Sequence, residues 1–161
     1  MRLALGLALL AWVLVSPAAA AEWGGIVPGA TTMDAVSAQH GGPTRTETQK
    51  TDGYDTASWV YEGPQAPKGM KRMVIDFGLV SAGQFRRDLV RAFRLEPNIG
   101  AFDRRTILAG WGAPTRAGRE ADGEVFIYAE GLIVYFEKDD FRPRLMIFTP
   151  PQPIDGAPGK N

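Results

Sequence analysis

Apolar residues are distributed along this chain in stretches of different kinds, and each predicts a different element. Leu3 to Val15 is an uncharged apolar run of thirteen residues behind Arg2, followed by Ser16-Pro17 and then Ala18-Ala19-Ala20. A cation, an apolar run, a break and small residues, in that order, make a secretory signal peptide. The run also falls short of the roughly 20 residues of a membrane-spanning helix. Residues 1–20 are therefore expected to be a leader cleaved after Ala20. The remaining 141 residues, with one net negative charge, are expected to be soluble in the periplasm or secreted. Without any cysteine to carry a lipid, the mature chain is not expected to be a lipoprotein.

Beyond the leader the spacing turns helical. Met33, Val36 and His40 stand at i, i+3 and i+7, with Thr31 or Thr32 placed to cap the start and Asp34 in the first turn. Ile107 and Trp111 repeat the last two positions of that stripe behind a capping Asp103. Gly41 and Gly112 close the two helices, each followed two residues on by a proline. Period-two patterning then takes over: Met73, Ile75 and Phe77 alternate with Val74 and Asp76, as in a strand with one packed face. In residues 84–95, Phe85, Leu89 and Phe93 are spaced by four and fit a helix as well as a strand.

Self-similarity decides that ambiguity. Gly29 to Arg45 overlies Gly100 to Arg116 without a gap, with seven of seventeen positions identical. SWVYEG (58–63) then matches FIYAEG (126–131), MVIDF (73–77) matches LIVYF (132–136), and FRRDLV (85–90) matches FRPRLM (141–146). The offset shrinks along the chain from 71 to 56, as shorter loops in the second copy would give. Since the partner of residues 84–95 contains Pro143 and the β-rich LMIF (145–148), both segments are read as strands. The expected fold is α+β, in two tandem repeats, each a short N-terminal helix followed by a three-stranded antiparallel sheet. The repeats span residues 21–95 and 96–149, and a Pro/Gly-rich tail covers 150–161.

A short helix begun by Thr-x-x-x-Val, closed by Gly-x-Pro, then a Trp-x-Tyr strand and an apolar strand ending in Phe, resembles the SmpA/OmlA (BamE-like) envelope domain. Two such units in tandem are similar to the β-lactamase-inhibitor-protein architecture. The resemblance covers residues 23–149 and implies non-catalytic protein binding in the cell envelope. It names no partner, and the chain lacks both the lipidated cysteine of the one family and the cysteines of the other.

Composition narrows the chemistry. Eighteen basic and eighteen acidic residues leave no bulk field for nucleic acid, and one histidine with no cysteine excludes thiolate nucleophiles and paired-His metal motifs. No catalytic constellation, cofactor or metal is expected. His40 could act as a base with nearby carboxylates in a small exported ligand-binding protein or hydrolase. Its helical position, matched by Trp111, favours packing or capping. Glu137, Asp139 and Asp140 read as an acidic turn rather than a calcium loop, and Asp52-Gly53 and Asp122-Gly123 also read as turns. Arg86, Arg87, Arg91 and Arg94, near Arg104 and Arg105, offer a weak contact for anionic lipid.

The second copy carries apolar residues on both sides of its strands, so one face is left for the sister repeat or for a partner. The residues expected to bind an envelope or secreted protein are Ile133, Tyr135, Met146 and Phe148, with Val74 and Asp76 in the first copy.

Overall fold

A computed structural model describes residues 20–120, 122–138 and 141–152. Residues 1–19 of the expected leader, the acidic pair Asp139-Asp140 and most of the tail lie outside the described residues. The helices α1 (Met33–His40) and α2 (Arg104–Trp111) form where the stripes place them. Thr32 Oγ1 accepts from Ala35 N at 3.3 Å to start α1. Asp103 Oδ1 accepts from Thr106 N at 2.7 Å to start α2, and the Thr106 hydroxyl accepts in turn from Asp103 N at 2.8 Å. Gly41 (φ 74°) and Gly112 (φ 76°) end them in a backbone conformation that favours glycine.

The strands do not form two three-stranded sheets. They are β1 (Arg45–Thr51), β2 (Tyr54–Glu62), β3 (Met70–Ser81), β4 (Gln84–Pro97), β5 (Arg116–Glu120), β6 (Gly123–Ile127), β7 (Leu132–Phe136) and β8 (Pro143–Phe148). All eight join one antiparallel sheet in the order β1-β2-β3-β4-β8-β7-β6-β5. The expectation missed two strands, and for one reason. β1 (RTETQKT) and β5 (RAGRE) are the sheet's edges and almost wholly exposed, so neither carries an alternation of apolar side chains. Charged edges resist pairing with another sheet.

Nor do the halves pack face to face. They meet edge to edge through three residue pairs, Phe93↔Phe148, Arg94↔Ile147 and Leu95↔Met146. Where β8 stops, the backbone of Gly29–Thr32 takes over as the neighbour of β4: Gly29 N donates to Val90 O, and Val90 N to Thr31 O. That contact delivers the chain to the start of α1.

The register also corrects the repeat overlay in its later segments. Tyr61 faces Met73, and Tyr128 N bonds Leu132 O, so the counterpart of Tyr61 is Tyr128 rather than Ala129. Likewise Ile75 faces Phe93 as Val134 faces Met146, which pairs Met146 with Phe93 rather than Val90. Irregular register between β3 and β4 near Phe77 and Leu79 adds residues to β4 that the second half lacks.

One face of the sheet carries the core. Tyr61, Met73, Ile75, Phe77, Phe93 and Leu95 from the first half meet Phe126, Leu132, Val134, Phe136, Met146 and Phe148 from the second, with Val36 of α1 and Ile107 of α2 against them. Each helix end is tied down alike: Tyr61 Oη donates to Gly41 O at 3.1 Å and Tyr128 Oη to Gly112 O at 3.2 Å. At the seam the rings of Phe93 and Phe148 stack 4.3 Å apart and 5° from parallel, with Trp111 edge-on to Phe148. Phe148→Ala is expected to lower unfolding free energy in chemical denaturation by about 3–5 kcal/mol, whereas exposed Phe141→Ala should change it by no more than about 0.5 kcal/mol.

Candidate functional site

Both helices and the N-terminal turn pack on the core face; no helix or strand among the described residues lies across the other. That open face is read directly from the register. One row crosses all eight strands: Arg45, Val60, Val74, Arg94, Ile147, Ile133, Ile127 and Arg116. A parallel row in the second half holds Leu145, Tyr135 and Val125.

The two halves finish this face differently. On β1–β4 a lattice of ion pairs lies over it. Arg45 bridges Glu47 and Glu62, while Arg72 stands 3.6 Å from Glu62 and 3.5 Å from Glu96. Beneath it Asp76, 8% exposed, accepts from Ser58 Oγ at 2.6 Å and from Arg94 Nη2 at 3.1 Å. Each carboxylate is matched, and Val60 and Val74 are sealed beneath. On β6–β8 the described residues form no such lattice. Ile127, Ile133, Tyr135, Leu145 and Ile147 remain partly exposed side by side, and the Arg144 guanidinium lies 5.4 Å over the Tyr135 ring. Between the zones runs a cleft of about 400 Å³ that includes Ser58, Arg72, Arg94 and Leu145.

Of the residues expected to bind a partner, the structure brings Ile133 and Tyr135 together on the open face. Val74 and Asp76 belong to the same face but are buried, and Asp76 is spent on Ser58 and Arg94. Met146 and Phe148 do not belong there. Both are fully buried on the helix side, because β8 alternates and Leu145 and Ile147 are its outward residues. Ile127, Leu145, Ile147 and Arg144 complete the patch. The alternation of β8 sets Leu145 and Ile147 opposite Met146 and Phe148 in the sequence, but it is the latter pair that is expected outward; Ile127 follows once the overlay is shifted by one residue.

His40 has a structural setting: Nε2 lies 3.1 Å from Gly24 O, and the ring meets Tyr61 edge-on. Its polar contact is a carbonyl, not a carboxylate. Among the described residues no three His, Asp or Glu side chains are grouped to hold a metal, and no helix is long and apolar enough to cross a membrane. Among the four arginines considered for lipid, Arg86 is held by Asp88 at 3.2 Å and Arg94 by Asp76. Neither Arg87 nor Arg91 has a carboxylate within ion-pair distance among the described residues.

No family model and no curated protein matches the chain. Among solved structures it is similar to a DUF4309 family protein (YjgB) from Bacillus subtilis, 14% identical over 78% of this chain and 82% of that one, with a TM-score of 0.47. Likeness of that degree speaks neither to fold nor to activity.

Two measurements check this site. Asp76→Ala strands Ser58 and Arg94 together and should cost about 1–3 kcal/mol in denaturant unfolding; Ser58→Ala should cost less. Burial pushes the Tyr61 phenol from 10.0 up to about 12, and burial also raises Tyr128. A phenol held neutral in the fold contributes fully below its unfolded pKa, and that contribution is lost as pH rises through the folded value. Stability should therefore fall between pH 10 and about 12. Tyr61→Phe should flatten part of that fall.

Proposed function

We propose that this chain is an exported, non-catalytic protein-binding module that takes its partner on the β6–β8 part of the open sheet face. One observation carries the reading: Ile127, Ile133, Tyr135, Leu145 and Ile147 form a continuous, partly exposed apolar strip on a sheet whose other half is sealed by its own charges. Apolar strips with an aromatic at the centre and polar borders suit protein association. The leader-like start of the chain supports a partner in the envelope or outside the cell, and the BamE-like resemblance implies the same class of role.

Immobilised wild-type chain should recover a specific protein from envelope extract. Tyr135→Asp and Ile147→Asp should each abolish that recovery while leaving the thermal transition in place. Val80→Asp, at an exposed apolar position far from the strip (53% exposed), should not affect it. Recovery that survives Tyr135→Asp, or that Val80→Asp also removes, overturns the reading.

A further inference from the structure

The charges around the strip define its partner more closely. On the β1–β4 part of the open face the acids are matched within the chain: Glu47 and Glu62 by Arg45, Glu96 by Arg72, Asp76 by Arg94. Arg144 is different. Among the described residues its guanidinium meets no carboxylate, and its Nε is shut off from solvent without an acceptor. It is instead laid against the Tyr135 ring, 5.4 Å from the centroid. A guanidinium packed on an aromatic face keeps its edge free for a planar, two-pronged contact with a carboxylate. Arg144 also lines a cleft of about 380 Å³ shared with Lys71, Ile99 and Phe102, in which Glu96 is already held by Arg72. Exposed Glu137 lines the same cleft, where Lys71, Arg142 and Arg144 outnumber it.

Resting on the reading above, we infer that the strip recognises a protein segment in which an aromatic or branched aliphatic side chain stands within about two residues of a carboxylate. The apolar side chain lies on Ile133 and Ile147, which face each other across β7 and β8. The carboxylate sits on Arg144 beside Tyr135. Ile133 and Tyr135 are two residues apart on one strand, roughly 7 Å, so an extended segment reaches both seats within about two residues.

Selection of random linear peptides displayed on phage, against the folded full chain, tests this. Wild type should enrich sequences pairing Phe, Tyr, Leu or Ile with a nearby Asp or Glu, and Tyr135→Asp should abolish the enrichment. Arg144→Glu should exchange the enriched acid for Lys or Arg, and Arg144→Ala should weaken a selected peptide by about tenfold. Enrichment of apolar peptides with no acidic position, or enrichment indifferent to Arg144→Glu, overturns this inference and leaves the docking face standing. If no peptide is enriched, or Tyr135→Asp changes nothing, both fall.

Discussion

The sheet depends on a seam only three residue pairs long. β4 and β8 touch at Phe93–Leu95 and Met146–Phe148, and everything that makes two four-stranded halves into one sheet passes through that contact. Three ladder pairs are little on their own. What strengthens them is the core beneath: Phe93 and Phe148 face each other in register with their rings stacked, and Trp111 of α2 closes over Phe148. Stacked aromatics add about 0.5–1.5 kcal/mol to the area they bury, and here both rings are fully buried. The seam thus fixes which way the second half faces, and with it the alignment of the open face.

That face shows one scaffold finished in two ways. In the first half, charges of both signs interlock above Val60 and Val74. Exposed ion pairs contribute little stability each, so the consequence of this lattice lies in what it excludes, a free apolar surface or a free acid. In the second half Tyr135 and Ile147 stand where the first has Asp76 and Arg94, and among the described residues the Arg144 guanidinium meets no carboxylate. The strand order is nonetheless mirrored about the seam.

Much of this was legible in the residues. Helix caps, closing glycines and the apolar strands follow local rules, and the outward alternation of Ile133 with Tyr135 is visible without coordinates. The edge strands were not legible, because a strand with no buried face writes no period into its sequence. The single sheet was not legible either: residues 85–93 fit two periods, and nothing local says that β4 pairs with β8. Overlaying the copies by identity misplaced Tyr61 by one residue and Met146 by three. In a strand an odd slip changes the face, which is how an overlay correct at its start gives unreliable equivalences at its end. Met146 and Phe148 failed as surface candidates because both faces of β8 are apolar and only packing against Trp111 and Phe93 distinguishes them.

The position of β8 has a consequence for how the molecule comes into being. It is the last strand among the described residues, yet it lies in the middle of the sheet. Vectorial synthesis therefore lays down each half from its edge strand inward, and the seam can close only once β8 has been made. A premature stop upstream of Pro143 removes not a dispensable end but the strand that β4 and β7 share.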